Sequence, residues 1–128
     1  MSKPIVLDAS ALLALLFQER GSDVVERHLA NAVMSAVNVA EVISKLVDKG
    51  LSERDAAKVF VDLMIPVRAF SEKAALETGR LRRLSQKSGL SLGDRACLAE
   101  AFVSESTVLT ADKLWSTLPL DIPIEVIR

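Results

Sequence analysis

The sequence predicts an α/β domain: a three-layer α/β/α sandwich around a central, mainly parallel sheet of four to five strands. Three observations predict it. Short apolar-rich runs recur at residues 4–7, 33–36, 66–70, 107–110 and 122–127, each the length of a strand. Between them lie stretches with apolar residues at helical spacing, so that strands alternate with helices, the pattern of a parallel sheet covered on both faces. The composition is 50% hydrophobic but only 4% aromatic, with no Tyr, so the core is built from Leu, Val, Ile and Ala, as in helices packed on a buried parallel sheet. The chain has 128 residues, which fits a single domain over residues 1–128, without repeats, low-complexity tracts or linkers.

The elements follow in order. Residues 4–7 form a buried strand ending at Asp8, and Ser10 is placed to cap a helix from Ala11 to Phe17. Gly21 and Ser22 break the pattern before a second helix over about 23–30. After the second strand at 33–36, a helix over 38–48 carries Val39, Val42, Ile43 and Leu46 on its apolar face and closes at Gly50. Ser52-Glu53-Arg54-Asp55 has capping-box spacing and opens the next helix, with Ala56, Val59, Phe60 and Leu63 along one face. The third strand is 66–70. Ser71 caps a long helix running to about Lys87, Ser88-Gly89 is a turn, and Ser91 begins a helix to about Val103. The fourth strand, 107–110, leads into a short helical turn over 112–118. The last strand, 122–127, belongs at an edge, because Pro123 lacks the N–H a central strand needs.

Charge and cysteine content exclude several classes. A net charge of -1 and a pI of about 5.8 argue against a protein that coats nucleic acid by bulk charge, while leaving room for an enzyme that meets a few phosphates locally. The one cysteine, Cys97, forms no intrachain disulfide and no cysteine-based zinc site, and reads as a small buried hydrophobe compatible with a reducing cytoplasm. The apolar stretch over 5–17 is interrupted by Asp8 and is too short to span a bilayer, so no membrane association is expected.

The chemistry lies in four acids. Asp8, Glu41, Asp94 and Asp112 stand at the ends of expected strands or in the first turns of expected helices. The carboxyl ends of parallel strands open onto one shared edge, where acids distant in sequence converge. A group of carboxylates with no lysine among them is unstable unless a divalent cation sits between the oxygens, and hard oxygen donors suit Mg²⁺ or Mn²⁺. Each acid also has a plain structural role open to it. Asp8 and Asp112 suit turns or caps, Glu41 suits the dipole of a helix start, and Ser91-Leu92-Gly93-Asp94 matches a capping box. Against that last role, Asp94 shares a helical face with Leu98, Ala101 and Phe102 and so heads an apolar stripe pointing inward.

Four segments in order, Asp8-Ala9-Ser10, Asn38-Val39-Ala40-Glu41-Val42, Ser91-Leu92-Gly93-Asp94-Arg95-Ala96-Cys97-Leu98-Ala99 and Thr110-Ala111-Asp112-Lys113-Leu114-Trp115, resemble the PIN domain and, within it, the VapC toxins of toxin–antitoxin pairs. The resemblance spans almost the whole chain. It implies a Mg²⁺- or Mn²⁺-dependent endoribonuclease leaving a 5′-phosphate and a 3′-hydroxyl. It implies metal-binding roles for Asp8, Glu41, Asp94 and Asp112, directly or through water, with the Ser10 and Thr110 hydroxyls supporting the cluster. It further implies a homodimer and a cognate VapB-like antitoxin whose C-terminal segment occupies the groove. For Ser10 and Thr110 a helix cap and a strand end stay open as plain alternatives.

Arg80, Arg82, Arg83 and Lys87 form a basic run, and Arg95 follows Asp94; Arg83, Lys87 and Arg95 are candidate contacts for RNA phosphates, set against a solvated helix face. His28 reads as a surface residue and Trp115 as packing over the sheet end. The first helix, with Leu12, Leu13, Leu15, Leu16 and Phe17, is apolar nearly all round and suggests a dimer or antitoxin surface. A phosphoacceptor receiver domain is disfavoured: one acid rather than two follows the first strand, the third ends in Ala69-Phe70-Ser71, and no Lys follows the last. A noncatalytic scaffold, and a nuclease acting on DNA or structured RNA within a larger complex, remain as alternatives.

Overall fold

The computed structural model describes residues 3–128. Five strands, β1 (Ile5–Leu7), β2 (Ala32–Ser35), β3 (Val67–Arg68), β4 (Thr107–Thr110) and β5 (Ile124–Val126), form one sheet in the order β3-β2-β1-β4-β5, with every pairing parallel. Among the described residues seven α-helices join them: α1 (Ala9–Leu16), α2 (Ser22–His28), α3 (Ala36–Asp48), α4 (Glu53–Asp62), α5 (Glu72–Arg80), α6 (Arg82–Ser88) and α7 (Leu92–Val103).

Strand alternation sorts the core into two halves. Leu7, Met34 and Leu109 pack with Leu12, Val25, Val42, Leu46 and Phe60 of α1–α4. Their sequence neighbours Val6, Val33 and Val108 point the other way, into Leu81, Cys97, Leu98, Ala101 and Trp115. One sheet buried on both faces is the expected three-layer sandwich, and it explains why the strands read as apolar runs rather than alternating ones.

Several boundaries differ from expectation. Asp8, not Ser10, holds the N-cap position of α1, and its side chain makes no capping hydrogen bond; Ser10 lies inside the first turn. α3 begins at Ala36, capped by the Ser35 hydroxyl, which accepts from the Val37 N–H at 3.3 Å. The long helix expected from Ser71 to Lys87 is two helices, broken at Leu81. Gly79 weakens the helix just before the break, and buried Leu81 turns into the second core half. β3 is only two residues long, because Pro66 has no N–H to add and Ser71 N–H turns back to the Ala69 carbonyl. Gly21, at φ +95°, opens α2 where a Cβ would strike Ile127, so both backbone and space require glycine there.

Trp115 is fully buried in the second core half, and His28 lies at the surface, 4.0 Å from Glu125. In the first helix Leu12 is buried while Leu13, Leu15 and Leu16 are half-buried against the core, leaving Phe17 as its exposed apolar end. Among the described residues no helix is long and apolar enough to cross a membrane.

Candidate active site

The sheet order reverses direction at β1: the chain winds outward through β2 and β3 on one side, and through β4 and β5 on the other. At such a switch point the connections diverge and leave a crevice beyond the carboxyl ends of the strands. A hollow of about 520 Å³ lies there, lined by Asp8, Ser10, Glu41, Ser44, Lys45, Asp48 and Asp94 among others.

Asp8 is the innermost of the acids, 4% exposed. The Ser10 hydroxyl donates to its Oδ2 at 2.6 Å, and the Thr110 hydroxyl to the same oxygen at 3.0 Å. Each hydroxyl has one proton, so both protons are committed and the 3.3 Å Ser10–Thr110 contact carries none. Behind the hydroxyls, the Ala111 N–H donates to Ser10 Oγ at 3.0 Å and the Asp112 N–H to Thr110 Oγ1 at 3.1 Å. Two chains of donors thus run from the backbone after β4 to one carboxylate oxygen after β1, each link polarising the next. Burial nevertheless dominates. It pushes the Asp8 carboxyl up to about 6, with the negative charges of Asp94 and Glu41 adding to the rise and the two hydroxyls opposing it.

Glu41 reaches the hollow from the second turn of α3. The Asn38 amide, one turn earlier, donates through Nδ2 both to Glu41 Oε1 at 2.8 Å and to the Gly93 carbonyl at 3.0 Å. Asn38 is wholly buried and its Oδ1 has no partner. An orphaned buried acceptor of this kind costs roughly 1–3 kcal/mol. Asp94 lines the hollow from the first turn of α7 and also completes a capping box: its N–H donates to Ser91 Oγ at 3.1 Å, and its Oδ2 accepts from the Ser91 N–H at 2.9 Å. The two roles considered for Asp94 therefore coexist, one oxygen being held by the cap.

Asp112 is placed differently. It is exposed, it is not among the lining residues, and its Oδ1 accepts from the Leu114 N–H at 3.0 Å to cap the turn after β4. The basic candidates also lie elsewhere. Arg95 turns toward α5 and donates to the Thr78 carbonyl at 3.1 Å. Arg83 and Lys87 rim a separate apolar groove with Arg80, Leu84 and Leu120. The cation beside the acids is instead Lys45, which corrects the expectation of a lysine-free cluster. Glu41, Lys45 and Asp48 recur at i, i+4 and i+7 along α3, beside the buried face of Asn38, Val42 and Leu46, so the place of Lys45 next to Glu41 was readable from periodicity.

The donors facing the hollow are carboxylate and hydroxyl oxygens, the set that suits a hard divalent cation. The repulsion that Asp94 and Glu41 exert on buried Asp8 is what such an ion would relieve. Among the described residues no three acid, histidine or cysteine side chains stand close enough to hold a metal ion between them as they lie. The donor chemistry fits; closing the ligand set requires side-chain rotation. Cys97, buried beneath the acids, has its thiol pushed well up by burial and by their charge, so it is no nucleophile.

The PIN domain family model matches residues 5–119. The chain belongs to the PIN domain family. PIN domains are generally nucleases that use divalent metal, and the fold neighbours agree with the assignment. The chain superposes on one from a DNA-bound VapBC of Salmonella typhimurium with a TM-score of 0.74 at 18% identity, covering 99% of this chain and 100% of that one. A chain of VapBC-1 from nontypeable Haemophilus influenzae gives 0.73 at 18% identity, over 95% and 96%. VapBC-5 of Mycobacterium tuberculosis, a member of the VapBC family of toxin-antitoxin systems, gives 0.64 at 20%, over 99% of each chain. Among curated proteins, none matches this PIN domain by sequence.

Proposed function

We propose that this PIN domain is a Mg²⁺- or Mn²⁺-dependent endoribonuclease, the VapC-type toxin of a toxin–antitoxin pair. The observation that carries the nuclease reading is the convergence of Asp8, Glu41 and Asp94, from β1, α3 and α7, on one hollow at the switch point of the sheet. The toxin reading is supported by fold neighbours that are chains of toxin–antitoxin complexes. A VapB-like antitoxin, a homodimer and a cytoplasmic setting belong to the same proposal.

Asp8, Glu41 and Asp94 would hold the metal, and Asp112, which caps the turn after β4 outside the hollow, joins them only by rotating inward. When bound, the metal supplies charge to meet a nonbridging phosphate oxygen and lowers the pKa of a coordinated water. The rest falls to the chain. Ser10 and Thr110 hold Asp8 Oδ2 in one orientation, leaving Oδ1 as the oxygen able to take a further ligand. Asp94 is fixed by its own cap. Lys45 offers the approaching phosphate an ammonium in a hollow whose other charged residues are acids. Arg83 and Lys87 fit contacts with more distant phosphates better than with the scissile one.

The test is cleavage of total bacterial RNA by the purified protein with Mg²⁺, with Mn²⁺ and with EDTA, beside Asp8→Asn. Discrete fragments bearing 5′-phosphates, lost in EDTA and in the variant, are expected. Intact RNA throughout, with cleavage of a DNA duplex instead, favours the DNA alternative; binding of RNA without cleavage of either favours the scaffold.

A further inference from the structure

We infer that Asn38 and Gly93 together form a clamp that sets where the Glu41 carboxylate stands, and that Asn38 is therefore a positioning residue for the metal site. The inference rests on the metal-dependent reading above and adds two residues to it.

Three observations carry it. The Asn38 side chain is fully buried, and its Nδ2 faces two acceptors, Glu41 Oε1 at 2.8 Å and the Gly93 carbonyl at 3.0 Å. Both neighbours accept, so the amide has one permitted orientation. That orientation leaves Oδ1 unpartnered in the core, and a buried amide satisfied on only one side adds little stability by itself. Its visible product is a tie between α3, which carries Glu41, and the first turn of α7, where Asp94 is the next residue after Gly93. The third observation is spatial. Gly93 does not need its glycine for backbone conformation, since its φ lies outside the left-handed region. A Cβ on it would fall inside the Glu41 carboxylate. The glycine is the floor on which Glu41 rests, and the asparagine is the wall that holds it there.

Two substitutions loosen the clamp from opposite sides. Asn38→Leu removes the donor and the orphaned acceptor together while keeping the volume roughly filled. Gly93→Ala displaces the far end of a flexible Glu41 side chain and raises helix propensity, so the fold tolerates it. The experiment is calorimetric titration of Mn²⁺ into the metal-free full chain for wild type, Asn38→Leu, Gly93→Ala, Glu41→Gln and the Asn38→Leu/Glu41→Gln double variant, each with its melting temperature. Outer-shell partners of metal ligands are worth about 10- to 100-fold in affinity. A loss in that range is expected for Asn38→Leu and for Gly93→Ala, with melting temperatures near wild type. The double variant should bind no more weakly than Glu41→Gln, because Asn38 acts through Glu41. Wild-type affinity in both single clamp variants, alongside weakened binding in Glu41→Gln, overturns the clamp and leaves the metal site standing, as do additive losses in the double variant. No Mn²⁺ binding by wild type removes the metal reading and the clamp with it. If Asn38→Leu does not fold, Gly93→Ala decides by the same titration.

Discussion

Two aspartates follow two neighbouring central strands, and the molecule uses them in opposite ways. Asp8, directly after β1, is buried and receives two hydroxyl protons on one oxygen. Asp112, two residues after Thr110 at the end of β4, is exposed and caps a turn. The difference lies in what comes next. After β1 the helix starts at once, so Asp8 is trapped between the sheet end and the α1 N-terminus. After β4 the chain spends Ala111 crossing the sheet edge, and Asp112 has already left the crevice. The β4 end still serves the site, through the Thr110 hydroxyl and the backbone N–H groups of residues 111 and 112. An aspartate after a strand becomes an inward-facing group only where the next element closes over it.

The largest expected effect sharpens this contrast in activity. Asp8→Asn should lower RNA cleavage by more than about 100-fold, the upper end for outer-shell partners of a metal. Asp112→Asn, which keeps a capping oxygen, should lose well under about 10-fold, measured as initial rates on one RNA. Equal losses would mean that Asp112 swings into the site during turnover.

The next effect is on stability against pH in EDTA. Burial pushes the Asp8 carboxyl up to about 6 in the fold, from an ordinary value of 3.8. The folded state therefore holds its proton more tightly than the unfolded chain. Ionised Asp8 opposes folding fully above pH 6, and this opposition disappears below about pH 4. The metal-free protein should lose up to about 3 kcal/mol between pH 4 and pH 7 from this group alone. Asp8→Asn should flatten that slope and Asp112→Asn should leave it unchanged, as read from thermal melts. A flat wild-type profile would show that the acids are screened without metal.

Metal should reverse the penalty. With Mg²⁺ or Mn²⁺ at 100 times its Kd, the wild type and Asp112→Asn should each gain about 2.7 kcal/mol, while Asp8→Asn gains none. Smaller again is Thr110→Val, which deletes one donor to a buried carboxylate. A loss of about 1.5–3 kcal/mol is expected at pH 8 and a lesser one at pH 4, where Asp8 is protonated. Smallest is Ser91→Ala, about 1 kcal/mol, which removes half of the α7 capping box and shows whether Asp94 depends on its cap for position.

Much of this was legible in the residues. The run Thr107–Thr110 coincides with β4 because a short apolar segment between a helix end and an aspartate has few other uses. Ser52, Ser71 and Ser91 cap helices where their spacing said they would. Asp8, Glu41 and Asp94 were readable as one group because parallel strands put their carboxyl ends on one edge. Asn38 stands in the first turn of α3, where a polar residue is ordinarily solvated, so nothing local marks it as buried. Adjacency to Asp94 suggests a phosphate contact for Arg95, but the next side chain points about 100° round the helix, and Arg95 meets the Thr78 carbonyl instead.

By itself, then, the sequence determined the alternation of strands and helices, the run of strand segments, the caps at Ser52, Ser71 and Ser91 and three of the acids that line the hollow, since these follow from local periodicity and from the chemistry of individual side chains. Only the tertiary structure decided the strand order and the break at Leu81. It also decided that Arg95 turns away from the acids, and that Asn38 ties Glu41 to α7. Those outcomes depend on which surfaces meet across the sheet edge, and that is settled by the packing of segments more than fifty residues apart rather than by the preferences of any one of them.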